Sequence, residues 1–386
     1  MTEPKITVVI PTRERSDVLQ KALATVIAQD YDPLEILVSD NCSGDGTADL
    51  VRGLNDRRIR YLNTGRRLSM SHNWEFALSH IHDGWVTIIG DDDGLLPRTL
   101  RRVAELIRST DVQAIRSLTC SYMWPSLTGL PFGRMYVPRR GRSEVRSAPR
   151  WLAKVLRGHA AYRDLPMLYS GGYVHVSVLQ RVRERGGAFY HSCIPDVYSA
   201  VAIASTVDRY LFVHEPLAIN GASRHSTGTS QFTSGSTGNK GPADLFASEP
   251  NIPFHPDVPL LDDGGFPPSL QALTYEAYLQ TAFLRGNGSP STTAERQLAA
   301  ILSETGRGET PLKAWSRKFA ALHGLDAARA GRRALPMRIR RRTAALRGRI
   351  AGAFTMKRLG SPQQPIRDVY EASVAAGPLL PDSDRR

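Results

Sequence analysis

Short apolar runs alternate with helix-period stretches along the first hundred residues. Residues 6–10 (ITVVI) are continuously apolar, the pattern of a strand covered on both faces in a parallel sheet. From Ser16 or Asp17, the apolar residues Leu19, Ala22, Leu23, Val26 and Ile27 recur at helical spacing and predict a helix to about Gln29. Residues 35–39 predict a second strand and 59–62 a third. A helix is predicted from about Ala48, a loop over 63–73, a helix over 73–81 and a strand at 86–89. This alternation predicts a doubly wound, mostly parallel α/β sheet. Ligands of such sheets sit beyond the carboxyl ends of the strands. Thr12–Arg15, Asp40 and the residues after Ile89 are therefore expected to converge on one crevice.

The later pattern is less regular. Residues 111–116 read as a strand and 121–150, rich in Pro, Gly and Arg, as a loop or hairpin. Residues 151–157 and 177–185 read as helices, with a turn into a strand over 169–176 between them. Pro195 opens an apolar helix through Ala204, and 210–213 reads as a strand. A Gly/Ser/Thr-rich run follows to about Lys240; such composition cannot pack a core and fits a lid, 222–240. Helices are predicted over 268–284 and 293–302.

The formal charge of +13 sits in one place. Residues 313–358 hold fourteen Lys and Arg against a single acid, Asp326, and the remainder of the chain balances. That argues against a body built to bind nucleic acid, and none is expected as a partner. The basic stretch keeps Met337, Ile339, Leu346, Ile350 and Phe354. It reads either as a solvated tail or as an amphipathic segment on an anionic membrane surface. Three scattered cysteines predict free thiols, and the N-terminus reads as entering a strand without a leader, so a cytoplasmic protein, peripheral on the inner membrane face, is expected. The four expected units are 1–110, 111–245, a helical extension 246–312 and a basic C-terminal tail 313–386.

The densest chemistry is Asp91-Asp92-Asp93, directly after an apolar strand. Three adjacent carboxylates repel one another and are costly near a core, so a neutralising cation is expected. Carboxylate oxygens suit Mg²⁺ or Mn²⁺, which complete their shells with phosphates. Arg13, Arg15, Arg66 and Arg67 offer charge for a diphosphate, and Asp40 can accept from a base N–H. No P-loop or dinucleotide fingerprint is present.

Four pieces in order, ITVVIPTRERSDVLQKALATVIAQDY, EILVSDNCSGDGT, IRYLNTGRRLSMSHNWEFAL and VTIIGDDDGLLP, resemble the N-terminal half of a family 2 glycosyltransferase of the GT-A fold. The resemblance implies an inverting, divalent-metal-dependent enzyme that moves a sugar from a UDP-, dTDP- or GDP-linked donor to an acceptor hydroxyl, lipid-linked acceptors included. It implies nucleotide contacts at Pro11, Thr12, Arg13, Arg15, Asp40, Asn41, Arg66, Asn73, Asp91 and Asp92. It implies Mn²⁺ or Mg²⁺ held by Asp91 and Asp93, with Asp93 the foremost ligand, and by His225. It assigns the general base to Asp196, in the first turn of the helix that Pro195 opens. The alternatives are a catalytically inactive sugar-nucleotide-binding protein docked on membrane, and a nucleotidyltransferase.

Overall fold

The structure is a computed structural model that describes residues 2–126, 132–139, 141–226, 249–305 and 310–380. Most of the expected lid, 227–240, lies outside them. The first strands are β1 (Ile6–Thr12), β2 (Leu34–Asp40), β3 (Ile59–Asn63) and β4 (Trp85–Ile88). They lie in parallel in the order β3-β2-β1-β4. Their residues divide strictly by face. Val9, Leu37, Val86 and Ile88 enter one core, while Val8, Ile10, Ile36 and Val38 enter the other. This alternation, with no polar face, is why the runs read as continuously apolar.

Helices α1 (Ser16–Ile27), α2 (Thr47–Gly53) and α4 (Thr99–Ser109) bury Leu19, Leu23, Val51, Leu100 and Val103 against the second face. Helix α3 (Met70–Ser79) covers the first with Trp74, Ala77 and Leu78. It begins three residues before the predicted Asn73, because the Ser69 hydroxyl caps it by accepting from the His72 N–H.

Beyond β4 the sheet changes character. β9 (Gly172–His175) lies antiparallel to both β4 and β6 (Ala114–Met123). The stretch expected as a loop or hairpin contains β7 (Arg134–Pro138), which pairs antiparallel with the end of β6, and β8 (Ser143–Ser147). The short predicted strand 210–213 is the beginning of β10 (Arg209–Ala222), which runs parallel to β6 and antiparallel to β5 (Gly94–Leu95) and β8. Helices α5 (Ala148–Leu156), α6 (Val176–Gly186) and α7 (Pro195–Ala204) thicken the first core.

The C-terminal third is fused to this body. α8 (Leu270–Gln280), α9 (Ala294–Leu302) and α10 (Pro311–Leu322) add Tyr275, Ile301, Trp315 and Phe319 to the core beside α7. The stretch expected as a basic tail forms α10 and α11 (Ala327–Thr355), and α11 buries Ala330 and Ala334. Its far end returns to the sheet: β11 (Met356–Leu359) pairs with β7. α12 (Val369–Ala376) then packs beneath β5, where the Ser373 hydroxyl donates to the Leu95 carbonyl at 2.8 Å. Among the described residues no helix is long and apolar enough to cross a membrane.

Candidate active site

The parallel register aligns the expected residues. Thr12 pairs with Asp40, Asp40 pairs with Asn63, and the Ile89 N–H bonds the Val9 carbonyl. The chain then turns sharply through Gly90 and the carboxylates into β5. Asp91, Asp92 and Asp93 are 2%, 6% and 0% exposed, so the acidic turn faces the protein and not solvent.

Each carboxylate has its own surroundings. Asp91 accepts from the Thr12 hydroxyl at 2.9 Å and from Arg15 Nη1 at 3.0 Å. Burial nonetheless pushes it above the usual carboxylate range, against the pull of Arg15. Asp93 accepts from the Gly221 N–H at 2.7 Å and the Gly90 N–H at 2.9 Å. Burial, followed by the Asp92 charge, raises its pKa to about 7. Asp92 Oδ2 accepts from the hydroxyls of Ser223 and Ser226. Among the described residues nothing donates to Asp92 Oδ1. Among the described residues one arginine therefore pairs with a triplet of buried carboxylates.

Gly90 leaves the space in front of the triplet open. A Cβ there would lie 3.1 Å from the Tyr169 hydroxyl and 3.2 Å from oxygens of both Asp92 and Asp93. The Tyr169 hydroxyl stands beside Asp93, and burial followed by the charge of Asp93 holds it far above its ordinary range; the Asp196 charge acts on it as well. Its ring stacks on Trp74 at 5.4 Å. Asp196 stands in the first turn of α7, where Oδ2 accepts from the Tyr162 hydroxyl at 2.9 Å.

The remaining expected residues divide. Asn41 exchanges hydrogen bonds with the Leu68 main chain, and Asn73 accepts from the Ser39 hydroxyl, so both shape the crevice wall. Pro11 serves through its place in β1, opposite Ser39. Asp40 is wholly buried and already accepts from Tyr61, Asn63 and the Ser43 N–H. Of the four arginines only Arg15 touches the triplet. Arg13 pairs with Glu249, Arg67 with Glu14, and Arg66 is exposed. His225 meets Arg15 through its carbonyl, while its ring faces Asp17 and Arg224.

A set of three metal-ligating side chains is not assembled among the described residues. Asp93, expected as the foremost ligand, has both oxygens engaged by main-chain N–H groups. The oxygen left over belongs to Asp92. The surplus of buried negative charge and this hard oxygen still fit a divalent cation, which takes only one or two protein carboxylates when phosphates supply the rest.

Tyr169, Tyr162, Gly221, Ser223 and Ser226 were not singled out as site residues from sequence. Gly221, Ser223 and Ser226 reach the carboxylates across 128 to 134 positions, and Tyr162 reaches Asp196 across 34, so no local spacing signals them. The one local cue was the tight Ser170-Gly171-Gly172 turn, where a Cβ on Gly172 would fall 1.7 Å from the Met167 carbonyl.

The family model described as Glycosyl transferase family 2 matches residues 7–126. The chain is 38% identical over 100 residues to the GalNAc(5)-diNAcBac-PP-undecaprenol beta-1,3-glucosyltransferase of Campylobacter jejuni, covering 25% of this chain and 32% of that one. It is 28% identical over 102 residues to the succinoglycan biosynthesis protein ExoO of Rhizobium meliloti, covering 26% and 29%. The match thus spans about a third of the length of these relatives. Among solved structures, S. aureus TarS 1-349 in complex with UDP-GlcNAc superposes with a TM-score of 0.47 at 15% identity, over 88% of this chain and 92% of that one. The mannosyltransferase PcManGT from Pyrobaculum calidifontis, in complex with GDP-Man and Mn2+, gives 0.41 at 18% identity over 88% of each.

Proposed function

Because residues 7–126 match the family model of glycosyl transferase family 2, we propose that the chain transfers a sugar, with inversion, from a nucleoside diphosphate donor to an acceptor hydroxyl. The observation that carries this reading is the buried aspartate triplet at the end of β4, paired among the described residues with Arg15 and lying beside Tyr169, on which the Asp196 charge also acts.

Each residue then has a task. Thr12 and Arg15 hold Asp91 in place. Gly90 lets the carboxylates and the Tyr169 hydroxyl close round the turn, where a Cβ would crowd them. Asp92, through its unengaged Oδ1, is the residue fitted to hold Mn²⁺ or Mg²⁺, with Asp91 beside it. Such an ion, when bound, supplies Lewis-acid stabilisation of the charge on the departing nucleoside diphosphate. Asp196 takes the proton of the acceptor hydroxyl as that oxygen attacks the anomeric carbon and the bond to the diphosphate oxygen breaks. Tyr162 orients the receiving carboxylate. A glycosidase would instead place two carboxylates about the scissile bond and would need no such phosphate crevice.

Exposed Leu335, Ile339 and Leu346 share a face of α11 with Arg342. A cationic apolar face of this kind suits an anionic membrane surface, and with it a lipid-linked acceptor on the cytoplasmic side. The deciding experiment incubates the chain with UDP-, dTDP- and GDP-sugars, with and without Mn²⁺. Release of nucleoside diphosphate from one of them is expected. Release of pyrophosphate would make the chain a nucleotidyltransferase, and binding without turnover would make it an inactive sugar-nucleotide binder.

A further inference from the structure

Tyr162, whose hydroxyl bonds Asp196, also lines a cavity of about 330 Å³. That lies at the lower end of the roughly 300–1,000 Å³ usual for small-ligand clefts. Its walls include His159, Gln271, Glu304, Arg340 and Arg341, so helix α11 closes the side that α5 and α8 leave open. Two guanidinium groups stand there against one carboxylate. That carboxylate is already engaged: Glu304 accepts from Arg341 Nη1 at 2.8 Å and from the Ser269 hydroxyl at 2.6 Å. Arg341 Nε is buried and has no hydrogen-bond partner, a costly state that an incoming acceptor oxygen would relieve. Gly158 makes room for this side chain, since a Cβ there would lie 3.0 Å from Arg341 Nη2.

The charges that act on His159 are all positive. The His159 pKa is held below its ordinary value, first by burial and then by Arg340, Arg157 and Arg341, with no carboxylate opposing them. Arginine forks match phosphate oxygens in geometry as well as charge.

We propose that this cavity is an anion subsite that holds a phosphate group of the acceptor, Arg340 and Arg341 gripping it while the acceptor's hydroxyl lies on the Tyr162–Asp196 side. The acceptor assignment rests on the transferase reading; the anion site rests on the cavity and its arginines.

Calorimetric titration of the full chain with inorganic pyrophosphate separates the two. An Arg15→Ala background suppresses binding in the donor crevice. In that background pyrophosphate binding should persist, and it should weaken at least tenfold on adding Arg340→Glu, an exposed position where folding is not at stake. Arg340→Ala should weaken it less. A dissociation constant within twofold of the Arg15→Ala parent overturns the site. Once the donor is known, KM is compared for a soluble alkyl-diphosphate sugar and for the same sugar on a long-chain lipid diphosphate. A tenfold rise in Arg340→Glu for both assigns the phosphate itself, and a rise for the lipid form alone assigns a lipid carrier's headgroup. A rise for neither overturns the acceptor assignment. Absence of any donor turnover in the parent chain would sink the transferase reading and leave the calorimetry to judge the site.

Discussion

The Gly221 N–H donates to Asp93 Oδ1 at 2.7 Å, a bond between residues 128 positions apart. The approach is so close that a Cβ on Gly221 would fall 1.8 Å from the Asp92 carbonyl. Only glycine permits β10 to press its main chain onto the acidic turn. Gly221→Ala should therefore destabilise the fold by about 2–3 kcal/mol, the scale of overpacking a dense interior, and should abolish donor turnover. Gly53→Ala, where nothing lies within 4 Å, serves as the control and should stay near neutral. Denaturant unfolding of both variants measures this, and equal stabilities would refute the close approach.

Asp92 and Asp93 should separate cleanly by mutation. Asp92→Ala should remove Mn²⁺ binding, read by calorimetry or by the spin resonance of free Mn²⁺, while the fold persists. Asp93→Ala should abolish turnover by another route. It strands the buried Gly221 N–H, at roughly 1–3 kcal/mol, and frees the half-buried Gly90 N–H, so its melting temperature should drop. In the parent chain EDTA should stop transfer, and Mn²⁺ or Mg²⁺ should restore it. Full activity in chelator would remove the ion from the mechanism.

Asp196→Asn should lower kcat by about 10²–10⁴-fold, the usual worth of a positioned general base, with donor affinity unchanged. Tyr162→Phe deletes only the hydrogen bond at 2.9 Å and should reduce kcat less, again without moving the donor's KM. If Asp196→Asn weakened donor binding and spared kcat, the carboxylate would be an architectural helix cap.

Glu276 of α8 is fully buried, and burial raises its pKa to about 7. Its oxygens accept from Ser192, Gln280 and the His255 N–H. The folded state thus binds this proton more tightly than the unfolded chain does. The stability this gives is complete below about pH 4.5 and is lost as pH rises through about 7; it amounts to on the order of 3 kcal/mol. Glu276→Gln should flatten that pH dependence and leave the variant the more stable form at pH 8. Thermal unfolding between pH 5 and 8 checks it, and parallel curves for parent and variant would contradict the assignment.

The sequence by itself determined the parallel half of the sheet and the crevice at its edge. Strands buried on both faces must be continuously apolar, and the register of β1, β2 and β3 then carries Thr12, Asp40 and Asn63 to one edge without further information. The acidic turn was equally legible, because carboxylates directly after such a strand have few places to go. Only the tertiary structure decided how the three carboxylates differ. Arg15 is close to Asp91 in any reading, but Gly221, Ser223 and Ser226 arrive on the end of β10, and Tyr169 on the turn before β9. The basic segment shows the same limit. Its charge was plain, yet composition does not say which elements it packs against, and it is Ala330 and Ala334 packing into the core that fix α11 where Arg340 and Arg341 can line the same cavity as Tyr162. Periodicity records which face of an element is buried; which distant element buries it depends on shape complementarity across the whole folded chain.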